Sequence, residues 1–184
     1  MKTKKQSKSN AVAIEKSTAT ININQRALVE SGVALLVVSL APLLLAHSNQ
    51  NQLLLGTIVN ATLFLTVIRI GLINAIFISC IPSLIALSRG MLPPQTVIIL
   101  PFIIFSNIFM VSAYFLFKIN TYKRIFLSAV VKMVSMTIPI VIGVQVGATV
   151  AFMISWPQLL TALLGGLVAL AFNSFLKGKI KSSL

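Results

Sequence analysis

Six apolar runs separated by short polar breaks constrain this chain more than any single motif. They cover residues 27–46, 53–68, 72–87, 95–117, 125 to about 147, and about 156 to 176. Each supplies roughly 17–25 helical residues once its ends are given slack, enough to cross about 30 Å of hydrocarbon. The breaks carry turn chemistry. His47-Ser48-Asn49-Gln50-Asn51-Gln52 is polar throughout, Arg69-Ile70-Gly71 is short and contains glycine, and Ser88-Arg89-Gly90-Met91-Leu92-Pro93-Pro94 ends in two prolines that lack the amide donor a helix needs. The expected fold is an all-α integral membrane protein, a six-helix transmembrane bundle.

Composition agrees. Of 184 residues 57% are hydrophobic and 9% charged, against about 25% charged in an ordinary soluble domain. A soluble core has no room for that much apolar surface, so the bilayer is the main solvent. The domain reading that follows is a disordered basic cytoplasmic tail over 1–26, the membrane domain over 27–176, and a basic cytoplasmic tail over 177–184. A cleaved signal peptide fits the first run poorly. The apolar stretch exceeds the about 7–15 residues of such segments, and Leu44-Leu45-Ala46 is a weak cleavage site.

Charge gives an orientation. With six helices and the N-terminus in the cytoplasm, thirteen of the fifteen basic residues fall on the inner side: Lys2, Lys4, Lys5, Lys8, Lys16, Arg26, Arg69, Lys118, Lys123, Arg124, Lys177, Lys179 and Lys181. Arg89 alone falls outside and Lys132 lies within the fifth run. That asymmetry follows the positive-inside rule and predicts both termini in the cytoplasm, at a plasma membrane. Excess basic charge here signals orientation and anionic lipid, not nucleic acid.

The same composition excludes much chemistry. One cysteine, Cys80, cannot build a disulfide framework, a cysteine zinc site or an iron–sulfur cluster within the chain. The two carboxylates, Glu15 and Glu30, lie in or beside the polar N-terminal region. His47 has no second histidine, so no metal site is expected. There is no phosphate-binding G-x-x-x-x-G-K-[ST] loop, no G-x-S-x-G elbow and no H-E-x-x-H pair. The chain is expected to be neither an enzyme nor the holder of a cofactor, and it cannot power transport by itself.

Polar residues inside the spans therefore stand out, because hydrocarbon offers them no partner. Asn60 and Asn107 fall near the middle of the second and fourth runs, and antiparallel threading brings Asn107 and Lys132 to comparable depth. Lys132 either holds a carboxylate or phosphate of a bound ligand, or snorkels to the inner headgroups on its four-carbon stem. The two asparagines either contact that ligand or join helices through hydrogen bonds. Arg89 meets an anionic solute or caps the third helix. Trp156 anchors the interface or stacks on a ligand beside Gln158. Arg26 and Glu30, four apart, are placed to pair. Small residues recur at packing intervals: Ala27, Ser31 and Ala34 in the first run, Gly143 and Gly147 in the fifth, and Gly165, Ala169 and Asn173 in the sixth. Pro82 and Pro139 interrupt the third and fifth runs and free carbonyls that kink a helix or line a cavity.

Size, six spans and the predicted topology combine with several stretches to suggest a family. These are Gly56-Thr57-Ile58-Val59-Asn60-Ala61, the segment from Pro82-Ser83-Leu84 through Arg89-Gly90-Met91-Leu92-Pro93-Pro94, Pro101-Phe102-Ile103-Ile104-Phe105-Ser106-Asn107, and the basic turn before Lys132. In these the chain resembles the substrate-binding S components of energy-coupling-factor (ECF) transporters over residues 27–176. The resemblance implies a subunit that captures a micronutrient outside and releases it inward, in partnership with a membrane coupling protein and two ATPase subunits. It also implies that the first helix docks on the coupling protein through an Ala-x-x-x-Ala face. The nearest matches here are Ala27-x-x-x-Ser31 and Ala34-x-x-x-Val38, with Ala27, Ser31 and Ala34 as the docking candidates. Without an N-terminal histidine the metal-binding branch is disfavoured, which leaves an organic vitamin or precursor as the solute. The expected pocket lies between the outer halves of the fourth to sixth helices under the 47–52 turn, with Asn107, Lys132, Arg89, Trp156, Gln158 and Asn60 as contacts. The alternative is a non-transporting accessory subunit that braces another membrane complex.

Overall fold

The computed structural model describes residues 25, 27–45, 52–88, 94–145 and 147–182. Seven helices account for nearly all of them: α1 Ala27–Leu45, α2 Gln52–Arg69, α3 Leu72–Ser88, α4 Pro94–Leu116, α5 Thr121–Val141, the short α6 Ala148–Met153, and α7 Trp156–Ser182. Four apolar stretches are long enough to cross a bilayer: Ala27–Leu45, Val97–Leu116, Thr121–Val141 and Val150–Gly178. Leu53–Arg69 and Leu72–Ser88 are shorter apolar helices. This is the architecture of a helical membrane protein.

Apolar side chains fill the middle of the bundle. Leu63 and Phe64 of α2, Met110 and Val111 of α4, Ala129 of α5 and Val38 of α1 are wholly buried around one centre. Phe64 meets Tyr114 edge-on, with ring centroids 5.3 Å apart, a favoured aromatic geometry. Large side chains such as Leu36, Phe77, Val141 and Phe175 point outward, as they must where lipid replaces water.

Among helices α2 to α7, the most extensive contact joins α2 to α7, and glycine makes it possible. A Cβ added at Gly165 would lie 2.6 Å from the Asn60 Cβ and 2.8 Å from the Ala61 nitrogen. The 161–165–169–173 row of α7 thus lies against α2 with small side chains where the backbones come closest.

Helix ends follow local chemistry. Gly71, at φ 130°, makes the tight turn from α2 to α3. Asn120 caps α5, its side chain accepting from the Tyr122 amide at 3.0 Å. Arg124 reaches back over the Tyr114 ring at 4.3 Å and donates twice to the Tyr114 carbonyl, at 3.0 and 2.6 Å. It thereby satisfies one of the orphan carbonyls at the end of α4.

Two boundaries differ from those read off the sequence. The fifth run was expected to remain helical to about residue 147, but α5 stops at Val141. Pro139 supplies no amide, Gly143 takes φ 85°, and the Val144 amide turns back to the Pro139 carbonyl at 2.9 Å. The next residues form α6, which the sequence did not suggest and which packs Val150 and Ile154 on Ile99 and Met136. At the other end, α7 continues through Lys177 to Ser182, so the boundary at 176 marks a change in composition and not in secondary structure. The tail before residue 25, the 46–51 turn and Arg89 lie outside the described residues.

Antiparallel threading sorts the helix ends. The start of α1 (Ala27), the end of α2 (Arg69) and the end of α7 (Asn173, Lys177) border one void, and the α4–α5 turn carries Lys118, Lys123 and Arg124. The opposite end gathers Pro42 of α1, Leu53 of α2, Ala86 of α3 and Pro157 of α7 around a second cavity.

Candidate functional site

That second cavity measures about 180 Å³ and takes its walls from six helices. Most of the lining is apolar: Leu55 and Val59 of α2, Pro82 of α3, and Leu100 and Ile103 of α4 are typical. Into it come six polar side chains, Asn60, Ser83, Asn107, Lys132, Gln158 and Thr161.

Lys132 is the centre. It sits in the middle of α5, 5% exposed, roughly 17 Å along the axis from the first residue of that helix. Its stem runs inward and its Nζ donates to Asn60 Oδ1 at 2.6 Å. That bond fixes the orientation of the carboxamide, since an ammonium only donates. Asn60 Nδ2 therefore faces Thr161, whose Oγ1 accepts at 3.2 Å. The Thr161 hydroxyl in turn donates to the Gln158 carbonyl at 3.2 Å. A hydrogen-bonded chain Lys132–Asn60–Thr161–Gln158 thus crosses from α5 through α2 to α7.

Two features of this chain of bonds are incomplete. An ammonium has three donors, and among the described residues Lys132 uses one. Asn107 is 3% exposed, and its Oδ1 has no hydrogen-bond partner among the described residues. Buried polar groups in this state cost about 1–3 kcal/mol each.

Charge is unbalanced as well. Glu30, the one carboxylate among the described residues, belongs to the far end of the bundle, where it pairs with Arg69 at 2.5 and 3.2 Å. From Asn60 to Arg69 is nine residues, roughly 14 Å along α2. An ammonium in an apolar surround, held by one neutral amide, is stabilised by an anion brought from outside.

Of the six sequence-predicted contacts, the structure brings Asn60, Asn107, Lys132 and Gln158 together in this cavity. Gln158 contributes from its half-buried position while its Nε2 donates to the Met153 carbonyl at 3.1 Å, tying α6 to the start of α7. Trp156 is elsewhere: it is 52% exposed and meets Phe152 edge-on at 5.6 Å. Residues two apart on a helix point about 200° away from each other, so Trp156 and Gln158 cannot share one cavity. Arg89 lies outside the described residues.

The cavity is also wider in origin than the fourth to sixth helices. α2 contributes the largest share of the lining, through Leu53, Leu55, Gly56, Val59 and Asn60. Thr161, Ser83 and Gly56 are among the lining residues that sequence reasoning did not name as contacts. The signal for Thr161 was its place one step before Gly165 in the four-residue row of α7. Gly56 faces it, and a Cβ there would meet Thr161 Cγ2 at 3.0 Å.

The docking candidates lie in the first half of α1. Ala34 is buried in the main core, and Ala27 and Ser31 are half-buried. Glu30, the residue placed to pair with Arg26, is held by Arg69, which bridges α1 to α2; Arg26 itself lies outside the described residues. A comparison with known protein families, curated proteins and solved structures returns no match to this chain.

Proposed function

We propose that the protein is a membrane-embedded binding subunit for a small organic anion, working as the solute-capturing part of an ATP-driven micronutrient importer. One observation carries the reading: a buried lysine with two unused donors and a buried asparagine without a partner, among the described residues, face the same small cavity with mostly apolar walls. A carboxylate or phosphate on the solute supplies the missing counter-charge and accepts from Lys132 Nζ. The Asn107 amide takes a second polar group, and the apolar walls receive the body of the solute. A volume of about 180 Å³ lies below the roughly 300–1,000 Å³ of drug-sized sites, which favours a compact solute.

In this reading the two shorter apolar helices also cross, giving six membrane spans, and both termini are cytoplasmic because the positive-inside rule makes the basic end the inner one. The cavity then lies toward the outer face, where solute is captured. Inward release falls to partners: a coupling protein in the membrane and two ATPase chains, as the resemblance to ECF S components implies.

The accessory-subunit reading accounts for part of the same geometry, because Lys132, Asn60 and Thr161 do bond to one another. It leaves Asn107 and the cavity without a role. A pull-down from native membranes in mild detergent, followed by mass spectrometry, separates the two. Recovery of a coupling protein with two ATPase chains supports the importer; recovery of an assembly without any ATPase rejects it.

A further inference from the structure

Another cavity system, on a different side of the bundle and opening at the opposite end, has the shape and charge of a lipid site. Between α1 and the α2–α7 pair runs a groove of about 720 Å³, four times the volume of the solute cavity. Its walls are apolar, with Val33 and Val37 from α1, Ile58 and Leu65 from α2, and Val168 and Phe172 from α7. Along α2 it extends from Leu54 to Arg69, roughly 22 Å at the helical rise. That exceeds the ~15 Å hydrocarbon depth of one leaflet.

The groove ends in a polar mouth. A void of about 410 Å³ bordered by Ala27, Asn173 and Lys177 shares Glu30, Arg69 and Ile70 with it. Glu30 and Arg69 meet in a bidentate contact, and with Lys177 exposed at the rim the mouth is positive among the described residues. Beneath it Asn173 is 8% exposed: its Nδ2 can donate to a phosphate, and its Oδ1, without a partner among the described residues, can accept from a headgroup hydroxyl. The chain that enters α1 at this mouth carries five lysines in its first sixteen residues, and Arg26. Basic charge of that kind draws anionic lipid to the leaflet on its side.

From these we infer that the groove and its mouth bind one anionic glycerophospholipid, with an acyl chain along α2 and the phosphate between Lys177 and Asn173. A helix from a partner protein fits less well, because an apolar membrane helix brings no anion to the positive mouth. The lipid fills the space between α1 and the α2–α7 pair along the groove.

The test uses the full-length protein in detergent with equal amounts of phosphatidylglycerol and phosphatidylcholine of the same chain length, read by native mass spectrometry. The wild type is expected to retain one lipid, with phosphatidylglycerol favoured about fivefold, as one lysine near the surface provides. Lys177→Ala is expected to abolish that preference, Lys177→Arg to keep it, and Val168→Trp to lower retention of both lipids by filling the groove. Because Lys177 is exposed, its replacement leaves the fold intact, and an unchanged melting temperature checks this. A photoreactive benzophenone side chain at Val33, activated in native membranes, gives the second readout. A lipid adduct supports the assignment. Crosslinking to polypeptide alone, equal retention of the two lipids by the wild type, or a preference that survives Lys177→Ala overturns it.

Discussion

Lys132 on α5 donates to the Asn60 carboxamide on α2 at 2.6 Å, and the same amide passes a hydrogen bond on to Thr161 of α7. Three helices far apart in sequence are joined through one buried polar residue. Because Lys132 has no carboxylate facing it among the described residues, this junction is incomplete without a bound anion, and the consequences can be separated by mutation.

Replacing Lys132 by methionine keeps most of the stem and removes the charge. A buried charge exchanged for an apolar side chain of similar volume is often neutral or stabilising, by about 1–4 kcal/mol. Lys132→Met is therefore expected to leave the melting temperature of the ligand-free protein unchanged or raised. Asn60→Leu does the reverse: it strands the ammonium and leaves Thr161 without its donor, with an expected loss of about 1–3 kcal/mol. Thermal unfolding in detergent measures both, and a double-mutant cycle shows whether most of the Asn60→Leu loss disappears once Lys132 is methionine.

The seam between α2 and α7 depends on the absence of a side chain at Gly165. Gly165→Ala forces a Cβ to within 2.6 Å of the Asn60 Cβ, and such overpacking costs about 1–3 kcal/mol. Gly32, in α1, is the control. A Cβ there meets nothing within 4 Å, so Gly32→Ala is expected to stabilise the helix by about 0.5–1 kcal/mol. Opposite shifts in melting temperature for two identical substitutions confirm that the packing, not helix propensity, governs position 165.

The ion pair between Glu30 and Arg69 ties the start of α1 to the end of α2. Both side chains are largely withdrawn from solvent, at 22% and 13% exposure, and the contact is bidentate, so it is stronger than a surface pair. Glu30→Gln is expected to cost about 1–2 kcal/mol and to speed amide hydrogen exchange in α1 more than in α5. Equal acceleration in both helices contradicts a local tether.

Orientation is open to a direct chemical probe. In a Cys80→Ser background, a cysteine placed at Ile119 in the basic α4–α5 turn is expected to react with an impermeant maleimide only after the membrane is opened. A cysteine in place of Gln145, beyond the end of α5, is expected to react in intact cells. The reverse pattern places the basic end outside and sets aside capture from the outer face.

The positions of the six long helices were legible from hydropathy, because prolonged apolar runs broken by polar turns leave little other choice. The polar residues of the cavity were legible for the same reason: Asn60, Asn107, Lys132 and Gln158 interrupt apolar surroundings that offer them no partner. Thr161 was harder to see, since a threonine in a helix can bond its own backbone and signals nothing by itself. Trp156 drew attention by its type, but facing is decided by helical angle, and two residues of separation turned it away from Gln158. The short α6 and the early end of α5 depended on Gly143 adopting a positive φ, which composition does not reveal. The direction in which the lysine stem runs was likewise fixed only by where α2 lies.

The central claim is that the Lys132 cavity holds a small organic anion, and calorimetric titration of the purified full-length protein with a panel of anionic micronutrients and their precursors tests it most directly. The account predicts saturable one-to-one binding of a solute bearing a carboxylate or phosphate. It further predicts that Lys132→Met weakens this binding by roughly 30-fold or more, as loss of a buried charge partner does, while a neutral analogue of the solute binds both proteins alike. Binding of the anionic solute that is unaffected by Lys132→Met, or no binding across the panel by wild-type protein that unfolds cooperatively, contradicts it.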